Sequence, residues 1–148
     1  MSKRILHVVS NVAHYADPSQ PTGLWLSELT HAYDVFAAKG YTQRIVSPRG
    51  GVSPLEPRAL KWPLLDASAK AWLDDPDLMA LLASTARPEE IDPAEYDAIY
   101  FTGGHAVMWD SRERRIATDH PRHMGARRHR VFRLSRLLRA AQHGTVAR

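Results

Sequence analysis

The chain has no cysteine. That absence excludes disulfides, thiolate metal sites and a cysteine nucleophile in the sequence as written. No stretch is long and apolar enough to predict a membrane-crossing helix. The opening residues, Met1-Ser2-Lys3-Arg4-Ile5-Leu6-His7, run straight into a short apolar segment without the layout of a signal peptide, so a cytoplasmic address is expected. Lysine is missing where arginine is dense. Residues 111–148 hold 11 Arg, no Lys and 2 acidic residues, a net of +9, whereas residues 1–110 hold 9 Lys and Arg against 14 Asp and Glu, a net of −5. The overall charge of +4 hides this split. So abrupt a break means either an appended basic tail or a tail not selected as protein. At 148 residues, 44% of them hydrophobic, the chain can fill one core and is one domain at most.

The ordered part reads as strand, helix, strand. Residues 5–10, Ile-Leu-His-Val-Val-Ser, form a short β-branched run that predicts a buried parallel strand. After a loop holding Pro18 and Pro21, residues 24–39 predict a helix with Trp25, Leu29, Ala32 and Phe36 on one face and Gly40 as its stop. Residues 42–47 predict a second strand centred on Ile45 and Val46, which suggests a right-handed βαβ unit. The proline-rich stretch 53–93 reads as a cap-like excursion outside the sheet, with a helix starting near Asp75-Pro76. Residues 98–102 predict a third strand, followed by the Gly103-Gly104 turn, at the edge where open α/β sheets bind ligands. Beyond Asp110 the periodicity fails, apart from a weak basic helix over 131–138.

Four blocks in order carry a family resemblance: T-G-L-W-L-S-E-L-T-H-A-Y at 22–33, V-S-P-R-G-G-V-S-P-L-E-P at 46–57, A-W-L-D-D-P at 71–76, and Y-D-A-I-Y-F-T-G-G-H-A-V-M-W-D at 96–110. Residues 1–110 thus resemble the N-terminal half of the ThiJ/PfpI family, in the class I glutamine amidotransferase-like superfamily, and its glyoxalase- and chaperone-like branch. The resemblance implies an α/β fold, a flavodoxin-like doubly wound parallel sheet of which this chain holds the N-terminal half. It also implies a Cys-His-Gly elbow after the next strand, and residues 111–148 do not contain one.

A shifted reading frame fits the tail. Codons built from the last two bases of one codon and the first of the next force tryptophan at Met124-Gly125, and admit only Asn or Ser at Gln142-His143 and only Thr or Met at His143-Gly144. Across 111–144 this frame admits a reading ending A-L-Q-R-I-T-R-D-I-W-E-R-G-G-I-V-S-S-V-C-H-G-Y-C-G-L-L-N-T, the helix, strand and elbow that the family places there. Leu134-Ser135 can yield the cysteine, Ser135-Arg136 the histidine and Arg136-Leu137 the glycine. The expectation is a frameshift near Asp110 and a truncated, poorly stable, inactive product.

For the intact parent, the resemblance implies cofactor-free chemistry on a 2-oxoaldehyde such as methylglyoxal, giving a 2-hydroxy acid without glutathione. Deglycase, holdase-chaperone and stress-response roles are also found in the family, often in homodimers. A thiolate attacks the carbonyl, backbone N–H groups stabilise the oxyanion, and a glutamate moves protons. By resemblance that glutamate is Glu28, Gly104 donates an oxyanion N–H, Gly103 makes the turn and His105 lines the mouth. On the residues alone, Glu28 is a solvated carboxylate on a helix face, Gly103-Gly104 an ordinary turn and His105 a surface residue. No G-x-S-x-G supplies another nucleophile, and Ser53 precedes a proline. His7, His14, His31 and His105 are scattered, so no metal site and no cofactor are expected.

Two readings from other classes remain open. One is a non-catalytic holdase chaperone using apolar surface exposed by a truncated core. The other is nucleic-acid binding through Arg127, Arg128 and Arg130, against which stand the lack of a recognised motif and Phe132 as the tail's only stacking aromatic.

Overall fold

The computed structural model describes residues 2–103. The chain divides into two units, Met1–Glu113 and Arg114–Arg148. The expected helix over 131–138, with Gly104 and His105, lies outside the described residues.

Three parallel strands form one sheet: β1 (Arg4–Val8), β2 (Thr42–Val46) and β3 (Ala98–Phe101), in the order β2-β1-β3. The register runs Arg4↔Thr42 to Val8↔Val46 on one side of β1 and Ile5↔Ala98 to Val8↔Phe101 on the other. This 2-1-3 order is the one with which flavodoxin-like sheets begin, and the fold is α/β, as expected.

Helix α1 (Leu26–Ala38) joins β1 to β2. It stops at Gly40, which takes φ +70°, a conformation open to glycine without a Cβ penalty. There the Gly40 N–H donates to the Ala37 carbonyl at 2.8 Å and the Tyr41 N–H to that of Phe36 at 3.1 Å. The buried residues of α1 are Leu26, Ser27, Leu29 and Thr30, whereas Trp25, Ala32 and Phe36 are half-buried. The single apolar stripe expected from the sequence is thus corrected to a wider arc near the helix start. The reason is a second layer: α1 packs on the sheet with one side and against α2 (Ala67–Leu73) with the other.

That layer comes from the 53–93 stretch. Asp66 caps α2 by accepting from the Ala69 N–H at 2.9 Å. Asp75 caps α3 (Pro76–Ala83) by accepting from Asp77 and Leu78, with Pro76 in the first turn, where it forfeits no hydrogen bond. The stretch stays out of the three-stranded sheet, but it is not peripheral. Ala69, Trp72 and Leu82 share a core cluster with Val9, Leu24, Leu26, Leu29 and Ile45. Burying each large apolar side chain here contributes about 1.5–3 kcal/mol. The opposite sheet face carries a smaller cluster, Leu6, Val46, Ala86 and Ile91, covered by the return segment to β3.

His7 sits mid-sheet, fully buried, with Nε2 2.7 Å from Gln43 Oε1 and its ring among Tyr33, Phe36 and Tyr100 at 5.5–5.8 Å between centroids. Burial pushes its basicity below the ordinary histidine value. It is therefore a core histidine.

Candidate functional site

Glu28 stands in the first turn of α1 and Gly103 follows the end of β3, so the two sequence candidates come from elements far apart in the chain. The fold brings them together. A Cβ added to Gly103 would meet the Glu28 carboxylate, the far end of that side chain, so the carboxylate lies directly against the Gly103 Cα. Glu28 is otherwise exposed to solvent, a carboxylate on a helix face beside the residue that follows β3.

Two neighbours fix this arrangement. The Tyr100 hydroxyl donates to the Glu28 carbonyl at 3.2 Å, tying β3 to the helix. Burial, and then the Glu28 charge, hold the Tyr100 phenol above its ordinary value, which keeps it a proton donor. Thr102, just before Gly103, donates its N–H to the Val8 carbonyl at 3.0 Å. Its hydroxyl is buried and has no hydrogen-bond partner among the described residues. Asn11, at the same end of β1, donates to the Gly50 and Val52 carbonyls at 3.0 and 2.9 Å and accepts from the Arg49 N–H at 2.7 Å. The loop after β2 is thereby held beside the ends of the strands.

Sequence reasoning missed one buried carboxylate. Glu56 is 1% exposed and accepts from the Thr22 hydroxyl at 2.8 Å and from Arg58 Nε and Nη2 at 2.7 and 3.0 Å. The Arg58 guanidinium, then the Thr22 hydroxyl, hold its carboxyl at about 2 against a usual 4.5. The available signal was Glu56-Pro57-Arg58, a charge pair two residues apart within a proline-rich stretch.

This carboxylate sets an acid limit on the fold. Its proton binds more weakly in the folded than in the unfolded chain, so its contribution is complete above about pH 4.5 and is lost as pH falls toward about 2. His7 also binds its proton more weakly in the fold, so stability begins to fall below pH 6.5. We expect Glu56→Gln to remove the lower of these two declines, worth about 2 kcal/mol once screening of half-exposed Arg58 is allowed for. Thermal midpoints measured from pH 7 to pH 2 check this; parallel curves for both proteins would show that Glu56 is not the titrating group.

Among the described residues no three histidine, aspartate or glutamate side chains converge as a metal-ligand set, and no helix is long and apolar enough to cross a membrane. A groove of 510 Å³ lies along β2, lined by residues that include Gln43, Arg44, Thr85, Arg87 and Glu90, with neither Glu28 nor Gly103 in its wall. It is open and polar, and lies apart from the carboxylate.

No protein-family model matches the chain. The protein of Schizosaccharomyces pombe named as a glutathione-independent glyoxalase, hsp3105, is 24% identical over 107 residues, which is 71% of this chain and 42% of that protein. Glyoxalase 3 of Candida albicans is 26% identical over 113 residues, 74% of this chain and 47% of that protein. Among solved structures, Rapid Encystment Protein 24 kDa of Francisella tularensis matches with a TM-score of 0.66 at 35% identity, over 73% of this chain and 47% of its own. Candida albicans glyoxalase III matches with a TM-score of 0.62 at 22% identity over 73% of this chain and 46% of its own, a likeness that carries the fold alone. The chain thus spans about half the length of the relatives it matches. Over the residues they share, the sequence blocks, the β2-β1-β3 sheet and these relatives agree: residues 2–103 are similar to the N-terminal half of ThiJ/PfpI-type glyoxalase proteins.

Proposed function

We propose that residues 1–110 carry one half of a glyoxalase-type site and that the tail as written withholds the other half. The observation that carries this reading is the Glu28 carboxylate seated on Gly103 at the end of β3, in a chain whose relatives are named as glyoxalases. Glu28 supplies a proton acceptor and donor; the turn after β3 supplies main-chain donors for an oxyanion. The sequence supplies no thiol to attack the aldehyde.

The shifted frame admits a cysteine in the elbow after the next strand. Its thiolate adds to the aldehyde carbon of a 2-oxoaldehyde. Glu28 takes the proton from that carbon and returns it to the neighbouring one, and water cleaves the resulting thioester to release a 2-hydroxy acid. The net change is addition of one water, with no oxidant and no cofactor.

The test is direct. Resequencing the gene from the Gly104 codon to beyond the Arg148 codon establishes the frame. The chain as written and its frame-shifted counterpart are then assayed with methylglyoxal. We expect no turnover above buffer from the first and lactate formation from the second. Turnover by the cysteine-free chain overturns the need for the thiol; none by the counterpart overturns the glyoxalase reading.

A further inference from the structure

Helix α1 begins at Trp25 without a side-chain cap. Its start is held from outside. The Leu24 N–H donates to the Pro54 carbonyl at 2.7 Å, and the Glu56 N–H donates back to the Leu24 carbonyl at 2.9 Å. A Cβ on Gly23 would fall on the Pro54 carbonyl and on Leu55, so the two stretches meet main chain to main chain. The Thr22 hydroxyl completes the join by donating to Glu56 Oε2 at 2.8 Å. The other side of that carboxylate is gripped by Arg58, whose Nη2 also donates to the Tyr15 hydroxyl at 3.0 Å.

We infer that Glu56 is a positioning residue for Glu28: through Thr22 and Leu24 it sets where the first turn of α1 stands, and so keeps the Glu28 carboxylate on Gly103. None of the hydrogen bonds to the Glu56 carboxylate comes from Glu28 or Gly103. It acts along the main chain, over the seven residues from Thr22 to Glu28. An ionised carboxylate suits the task because it accepts from Thr22, from the Arg58 N–H and from the Arg58 guanidinium at once. Without it, the buried Thr22 hydroxyl and the Arg58 donors lose their acceptor, and the 54–56 stretch loses its side-chain hold on the segment before α1. The functional meaning of this positioning rests on the role proposed above for Glu28; the geometry does not.

The experiment uses the full chain as written and needs no turnover. In ¹⁵N,¹³C-labelled protein, the nuclear Overhauser signal between the Glu28 side chain and Gly103 Hα is compared in parent, Glu56→Gln, Thr22→Val and Thr22→Ser. Hydrogen exchange of Glu28, Leu29 and Thr30 is read alongside that of β1 and β2. We expect Glu56→Gln and Thr22→Val to weaken the Overhauser signal about threefold or more and to speed exchange in the first turn about tenfold, with β1 and β2 unchanged. Thr22→Ser, which keeps the donor, should behave as the parent. An unchanged Overhauser signal in Thr22→Val, or exchange that quickens equally in all three elements, overturns the inference. Should Glu56→Gln fail to fold, Thr22→Val decides by the same criteria. A failed methylglyoxal assay leaves these readouts untouched, so the two ideas fall separately.

Discussion

In the chain read through the shifted frame, Glu28→Gln should lower kcat for methylglyoxal by about two to four orders of magnitude, the range typical of losing a positioned acid–base group. KM should change only a few-fold. Glutamine has nearly the same volume, so it still fits against Gly103. The Tyr100 hydrogen bond goes to the Glu28 main-chain carbonyl and is unaffected by the side chain. What the substitution removes is the ability to take up and return a proton. Initial rates of methylglyoxal loss, with lactate quantified separately, check this. Retention of kcat within about threefold would make Glu28 a bystander on a helix face.

The second large effect concerns stability. Trp72→Ala should cost about 3–5 kcal/mol, as truncation of a fully buried large side chain does. Trp72 is 1% exposed, meets Tyr33 edge-on at 4.9 Å between centroids and donates through Nε1 to Asp34 Oδ1 at 3.3 Å. It joins α2 to α1 in the layer that the sheet does not provide. Typical domains have a total stability of about 5–15 kcal/mol, so the loss is a large fraction of the whole. Trp72→Phe keeps most of the ring contact and forfeits the Asp34 bond, so it should cost about 1–2 kcal/mol. Urea unfolding of both variants reads the difference. A cost below about 1 kcal/mol for the alanine variant would mean that the 53–93 layer is separable from the fold.

What the sequence made legible follows from the range of the physics involved. The three strands and α1 were readable because β-branched runs, a helical apolar period and Gly40 are local signals. The Asp75-Pro76 helix start was readable for the same reason. Trp72 and Leu82 as core were not, because α2 and α3 are too short to show a period and their burial depends on α1, distant in the chain. Glu28 and Gly103 were legible only through the quoted blocks; nothing local says that a helical glutamate will meet a glycine 75 residues later. Glu56 was hidden because its partner Thr22 lies 34 residues away and its surroundings read as loop.

The register of the sheet also orders events in folding. Strand β1 meets β2 from Arg4↔Thr42 onward but meets β3 only from Ile5↔Ala98 onward, about two and a half times the chain separation. Closing the longer loop costs about 0.8 kcal/mol more in chain entropy. The β1–α1–β2 crossover unit can therefore assemble while residues 98–103 are still unplaced. Glu28 belongs to that early piece and Gly103 to the late one. The meeting of the two is a record that the long-range closure has happened, and a lesion in β3 would leave a structured fragment that carries the carboxylate with nothing beneath it.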